Sequence, residues 1–463
     1  MKIPKHVIFL LAAILLTGCR SVTEDNVQSS TATTTGAIVA TGSAYPTFLP
    51  STTPTPPRST QTRLPTLLPS ETSTPTIDPT YSLPQNRCLE IVTEEPPANI
   101  PMNGVWILNT QGNMETWLVS GNNEFPPVRL PRQEGDRLLE FDVSPDRTRL
   151  LYRHFDATTH QASLVIANAN GESLWSQPII VEIDPWGWFD NERLWSAVTQ
   201  EDDVPYLMLL NYATGERQEI SANYPGYDLS FLLEYAFLQE WRLPSEIYDL
   251  NLTRVIYGGC TPDCTNGYPV ILWDVVNNRE ITRLLTMDFF GSYPMWLPDY
   301  NHFLFAANLD TSNAMAPTND FYLVSRDGEI YQLTHLWEYH RDVEIYSQMS
   351  LSPNGRYVAF WLRITPGLFE DDRLAILDTA TGQVTNYCLP GETFRNDRGL
   401  EIRDYQMIGG DAPVWSPDST QLIIVQRDPA DRSIRWNVLI DLPSETAFKI
   451  GEDMEAVGWM LSP

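Results

Sequence analysis

An all-β fold built from repeated pairs of short hairpins is what this sequence of 463 residues predicts. Three observations carry the prediction. The first is a recurring stretch in which an apolar residue leads into a turn and then into an apolar strand. It reads "FDVSPDRTRLLY" at 141–152, "LSPNGRYVAFW" at 351–361 and "VWSPDSTQLIIV" at 414–425. "MWLPDYNHFLF" (295–305) is a close variant, and "YDLNLTRVIY" (248–257) and "WGWFDNERLW" (186–195) are worn copies. Proline presets φ for the first turn position, and Asp or Asn suits the next, so each stretch is a β-hairpin. The second observation is an element that alternates with the first: an apolar strand, then Asn or Asp, then a Gly-type turn. Its copies are "VWILNTQGN" (105–113), "LVIANANGE" (164–172), "LMLLNYATGE" (207–216), "VILWDVVNNR" (270–279), "FYLVSRDGE" (321–329), "LAILDTATGQ" (374–383) and "NVLIDLPSE" (437–445). The third is spacing. Two hairpins make four strands, and a repeat of about 45–65 residues fits a four-stranded antiparallel blade of a β-propeller.

The Ser-Pro-Asp/Asn hairpin after an apolar or Trp position resembles the TolB-type, WD40-like repeat. The resemblance covers roughly residues 100–463 and implies a propeller that binds other proteins without catalysis.

Blade number follows from the copies. The second element occurs seven times, but only six first hairpins are complete; the seventh is the fragment "GWMLSP" at 458–463. An unclosed ring would leave unpaired strand edges. The sequence therefore predicts seven blades, with strand 456–461 as the innermost strand of a blade whose other strands come from the segment after Cys88. Worn copies leave six or eight compatible with the pattern.

Taken in chain order, the first element is "MKIPKHVIFLLAAILLTGC". Lys2 and Lys5 precede an apolar run, Val7–Leu16. Ten residues make about 15 Å of helix, half a bilayer core, which is a signal-peptide length and not a span. Leu16-Thr17-Gly18-Cys19 resembles the lipobox of bacterial lipoproteins. The resemblance implies cleavage after residue 18, a diacylglyceryl group on Cys19, and stable anchoring in the lipid bilayer by two or three acyl chains. Residues 19–87 follow, rich in Ser, Thr and Pro ("STTPTPPRSTQT", "PSETSTPTIDPT") and without apolar periodicity. Such a stretch buries too little apolar surface to offset its ordering entropy, so it is expected to be a disordered stalk. The propeller is expected to occupy 88–463.

Four cysteines remain after Cys19. "GGCTPDCTNG" puts Cys260 and Cys264 in one tight loop, which pairs them and leaves Cys88 for Cys388; free thiols are the alternative. The formal charge is −29 and becomes −31 once residues 1–18 leave with two lysines and no acid. Such a chain repels nucleic acid and anionic membrane surfaces.

In a four-stranded blade both hairpin turns lie on one face, and the loops between second and third strands lie on the other. Here the second set is long and varied, which is where function sits on a rigid scaffold. The candidate binding face therefore carries Asp202, Asp203, Asp310, Asp320, Glu370, Asp371, Asp372, Asp428 and Asp431, with Trp337 and Tyr339 as aromatic contacts. The acids would hold Ca²⁺ only if several converged, and no calcium-binding repeat is present. Segment 221–247 reads either as a helical insertion capping the channel or as an irregular connection.

No GxSxG, HExxH, Walker loop or dinucleotide fingerprint occurs. His154 with His160, and His335 with His340, share loops but lack a ligand set. The expectation is a monomeric, non-catalytic module without cofactor or metal that binds an envelope protein. The alternatives are a cell-wall polysaccharide or peptidoglycan binder, and a propeller enzyme acting on polysaccharide.

Overall fold

The computed structural model describes residues 84–110, 115–179, 186–198, 206–220, 223–224, 227–228, 248–258, 268–286, 294–309, 320–336, 343–363, 372–390, 412–427, 435–452 and 454–463. Among them the regular structure is β, arranged as seven antiparallel blades in a ring. Blade 1 runs from its inner to its outer strand as Met454–Met460, Val105–Thr110, Thr116–Ser120 and Val128–Arg129. Blade 2 is Arg137–Val143, Arg149–Asp156, Gln161–Asn168 and Ser173–Ile179, and blade 3 is Trp186–Trp188, Arg193–Val198, Tyr206–Asn211 and Arg217–Ile220. Blade 4 has Arg254–Gly258, Tyr268–Asp274 and Arg279–Thr286, its inner position marked by the bridge of Tyr248 to Val255. Blade 5 is Met295–Trp296, His302–Ala307, Asp320–Ser325 and Ile330–Gln332. Blade 6 is Glu344–Leu351, Tyr357–Arg363, Asp372–Asp378 and Val384–Pro390, and blade 7 is Val414–Trp415, Gln421–Arg427, Arg435–Asp441 and Thr446–Glu452.

The core confirms the count independently. Buried apolar side chains fall into seven clusters, one at each blade interface, including Trp106, Leu108, Ile423, Leu439, Ala456 and Trp459 between blades 7 and 1. Second and third strands read as near-continuous apolar runs because neighbouring blades cover both of their faces. Phe303 to Ala307, for example, are all at 0% exposure.

The ring closes as expected, with one boundary moved. Met454–Met460 pairs antiparallel with Val105–Thr110, Met460 opposite Val105, and Leu461 lies outside the ladder with 45% exposure. Gly104, at φ 109°, makes this junction: a Cβ there would stand 2.4 Å from the Met460 carbonyl oxygen and 2.5 Å from Trp459 Nε1. Gly104→Ala is expected to lower stability by about 2–4 kcal/mol, read as a shifted urea midpoint at unchanged slope.

The N-terminal segment adds a second closure. Gln85–Asn86 pairs parallel with the outer strand of blade 6, and Ile91–Val92 pairs parallel with that of blade 7. Cys88 and Cys388 form a disulfide, the pairing that elimination gave. Arg87 also pairs with Glu445. Cys260 and Cys264 lie outside the described residues. In segment 221–247, Asn223–Tyr224 pairs with Tyr227–Asp228, and 229–247 lies outside the described residues.

The Ser-Pro motif has a physical explanation in its turn. In blades 2, 6 and 7 the serine Oγ (Ser144, Ser352, Ser416) donates to the Asp or Asn two residues on, at 2.6, 2.8 and 2.6 Å. The same Oγ accepts the backbone N–H five residues on, at 3.0, 2.9 and 2.9 Å. The fourth residue takes a left-handed conformation: Arg147, Gly355 and Ser419 at φ 61°, 72° and 64°. In blade 4, Asp249 replaces the serine, its Oδ1 accepting from the N–H of Thr253 and Arg254 at 2.6 and 2.8 Å. The Asn/Asp of the second element caps its own turn. Asn168 Oδ1 accepts from the N–H of Asn170 and Glu172, and Asn211 Oδ1 from Ala213 and Thr214.

Candidate binding face

The two faces of the ring are built differently. On the short-turn face, neighbouring turns are tied to one another. Leu461 N–H donates to the Arg147 carbonyl at 2.8 Å, linking blade 1 to blade 2. Asp146 N–H donates to Asn191 Oδ1 and Arg149 to the Asn191 carbonyl, both at 2.8 Å, linking blade 2 to blade 3. Arg193 reaches the Leu250 carbonyl of blade 4 at 2.8 Å, and Arg326 of blade 5 pairs with Asp249 of blade 4. Gly355 of blade 6 leaves room for Pro298 of blade 5, whose Cδ would lie 2.6 Å from a Cβ there. Asn354 N–H donates to Ser419 Oγ of blade 7 at 3.1 Å. These groups are spent on holding the ring.

On the long-loop face the described residues form the floor from which the loops rise. Innermost strands begin here, and two begin with acids held by arginines: Glu344 with Arg363 at 3.0 Å, and Glu455 with Arg435 at 3.2 Å. Asn437 bridges blades 7 and 1, accepting the Ala456 N–H at 3.0 Å and donating to the Met454 carbonyl at 3.1 Å. Between blades 1 and 2, buried Asp136 accepts the Gln133 and Ala157 N–H groups at 2.8 and 3.1 Å and contacts His154 Nε2 at 2.9 Å. The Gln133 hydrogen bond, then His154, pulls the Asp136 carboxyl down to about 2. His154 therefore sits on a strand with a carboxylate partner and not in a loop.

The sequence-derived site residues divide sharply. Asp202, Asp203, Asp310, Glu370, Asp371, Asp428, Asp431, Trp337 and Tyr339 lie outside the described residues. Asp372 opens the third strand of blade 6, opposite Arg363. Asp320 requires a correction. It is 1% exposed, and its Oδ1 accepts from Thr334 Oγ1 at 2.9 Å and from Leu336 N–H at 2.6 Å. Its carboxylate holds the connection leaving blade 5, because a buried acid at a strand start must be satisfied internally. Among the described residues no group of three or more His, Cys, Asp or Glu could hold a metal ion.

Sequence reasoning missed Asp142, whose only signal was an acid two residues before the Ser-Pro turn. Its Oδ2 accepts the Trp188 N–H at 2.7 Å, and Trp188 Nε1 donates to its carbonyl at 3.2 Å. Ser350 holds the same position in blade 6, donating to the Pro413 carbonyl and accepting from Trp415 Nε1 at 2.6 and 3.1 Å. Burial pushes the Asp142 carboxyl up to about 6, against the Trp188 N–H and Arg147, which pull it down. A raised carboxyl pKa means that the folded state binds the proton more tightly, so this group's contribution to stability falls as pH rises from about 4 to about 6. Asp142→Asn keeps an acceptor for Trp188. It is expected to be more stable than the parent at pH 7.5, by about 2 kcal/mol, and nearly equal at pH 4. Urea midpoints at the two pH values check this; a variant weaker at both would refute it.

Seven blades, closed by strands from both ends of the described region, define a seven-bladed β-propeller. No family model and no curated protein matches the chain. Solved structures do. TolB from Acinetobacter baumannii is 12% identical over 82% of this chain and 97% of its own, with a TM-score of 0.39. An oligogalacturonate lyase in complex with manganese is 10% identical over 78% of this chain and 85% of its own, at 0.44. A puromycin-hydrolyzing peptidase of Mycobacterium tuberculosis is 10% identical over 79% of this chain and 56% of its own, at 0.44. At such identities and scores these neighbours do not bear on activity. The assignment of the fold rests on the strand pairing and the seven interface clusters.

Proposed function

We propose that this chain is a lipid-anchored, extracytoplasmic lipoprotein whose propeller binds an envelope protein through its long-loop face, without catalysis. The observation that carries this reading is the asymmetry of the faces. The short-turn groups are committed to neighbouring blades, whereas the long, acid-rich loops rise from a braced floor. The Cys88–Cys388 disulfide supports an oxidising compartment, in line with the lipobox and stalk. A protein partner is favoured over a sugar because the described tryptophans serve mainly the core. Trp188, Trp361, Trp415 and Trp459 are among the largest fully buried side chains, and Trp106, Trp195, Trp273 and Trp296 are buried too.

The test is capture by the full-length lipidated protein in detergent, with solubilised envelope proteins and purified cell-wall polysaccharides offered in parallel. One enriched protein, lost when 308–320 or 363–373 is replaced by a short glycine-serine linker, is the expected result. Retention of polysaccharide alone would refute it. Cys19→Ala is expected to move the protein from the membrane to the soluble fraction.

A further inference from the structure

Outer strands of propeller blades are sheet edges, and exposed edges template the addition of further strands unless they are protected. Six of the seven outer edges here carry an identifiable protection. Those of blades 6 and 7 are covered by Gln85–Asn86 and Ile91–Val92. Those of blades 1 and 5 are short, Val128–Arg129 and Ile330–Gln332. Those of blades 3 and 4 carry charge, Arg217 and Glu219 in one and Arg279, Glu280 and Arg283 in the other. Blade 2 is the exception. Its outer strand Ser173–Ile179, "SLWSQPI", has seven residues and no charge, and among the described residues nothing pairs with its outer side.

Two further observations single out this edge. Glycines in the turns before the outer strands of blades 2, 5 and 6 pack on the preceding blade: Gly171 on Val128, Gly328 on Ile281 and Gly382 on Leu333. Gly215 of blade 3, which would pack on blade 2, has no atom within 4 Å of its Cβ position. The rows also differ in exposure. Ala447 and Phe448, paired with Ile91 and Val92 in blade 7, are 0% and 5% exposed, whereas Leu174 at the corresponding height of blade 2 is 53% exposed. Trp175 beside it packs edge-on against Tyr212 of blade 3, ring centres 6.2 Å apart, so the floor of the opening is fixed.

We propose that the outer edge of blade 2, over Ser173–Gln177, is a second docking site that takes an extended segment of a partner protein as an added β-strand. The chain already adds strands this way to blades 6 and 7, with its own N-terminal segment. Charge selects the occupant. Between Arg153 and Arg193 the sequence has no Lys or Arg, but it has Asp156, Glu172, Glu182, Asp184, Asp190 and Glu192. The segment is therefore apolar at alternate positions and basic at its ends: main-chain hydrogen bonds supply affinity, Leu174 an apolar contact, and the acids orientation. Pro178 lacks an N–H and ends the receptive stretch.

The test uses the full chain in detergent and a fluorescent peptide of alternating valine and threonine with two lysines at each end. The same peptide with glutamates in place of lysines, and one with a central proline, are controls. The lysine peptide alone is expected to bind, to weaken about tenfold between 0.05 and 0.5 M NaCl, and to protect amides of 173–177 from hydrogen exchange. Leu174→Glu, on an exposed side chain, is expected to weaken binding at least about tenfold at an unchanged melting temperature. Ser176→Pro is expected to abolish it. No binding, binding indifferent to Leu174→Glu, or protection elsewhere would overturn the proposal. So would a dimer of this chain paired through the same edge. The long-loop reading stands or falls separately, since the replacements that test it leave blade 2 intact.

Discussion

Deletion of residues 454–463 is expected to abolish cooperative folding. The lost strand contributes the whole inner ladder of blade 1, paired from Val105 to Thr110, and it buries Trp459 and Met460 at 0% and Ala456 at 1% exposure. Burial of the two large side chains contributes about 2–3 kcal/mol each, before ladder hydrogen bonds and the Trp106–Trp459 edge-to-face pair are counted. The sum is comparable to the roughly 5–15 kcal/mol that holds a domain together. Deletion also leaves Val105–Thr110 as an open apolar edge. The variant should aggregate or show no sigmoidal melting curve. Gly458→Val separates closure from general damage. Its side chain would start 2.6 Å from Ile107 Cδ1 and 2.8 Å from Val143 Cγ2, so it should cost about 1–3 kcal/mol while leaving a folded ring. A deletion variant that melts like the parent would mean that blade 1 closes by another route.

Loss of the Cys88–Cys388 bond should give the second largest effect. The bond joins residues 300 apart in sequence, and the loop-entropy account puts the destabilisation at roughly 5 kcal/mol for so long a loop. Cys88→Ser is expected to lower the melting temperature by several degrees or more. Dithiothreitol should reproduce the shift in the parent and do nothing to the variant. The fold should survive, since Gln85–Asn86, Ile91–Val92 and the Arg87–Glu445 pair still hold the segment. Equal melting in the presence and absence of reductant would show that the strands alone set this closure.

The sequence made the ring legible because each blade repeats its turn chemistry. Ser144, Ser352 and Ser416 bond the same way, and the capping Asn and Asp residues mark the second turns. Closure by the last strand was legible from an unpaired half-motif, to within one residue at Leu461. The parallel strands at 85–86 and 91–92 were not: two-residue pairings leave no periodicity, and their partners lie some 300 residues on. The site was less legible than the ring. Asp320 stood among loop acids in the sequence, but its position at a strand start, beside Thr334 in space, makes it a buried support. Asp142 gave almost no sequence signal because its role depends on Trp188, in the next blade.

The central claim is that the long-loop face meets the partner and the short-turn face holds the ring. A photo-crosslinking amino acid placed at Thr159, on the long-loop side, or at Thr381, on the short-turn side, tests it in cells; both positions are exposed. The expected result is one discrete protein adduct from Thr159 and none from Thr381. An adduct from Thr381 with none from Thr159 would contradict it.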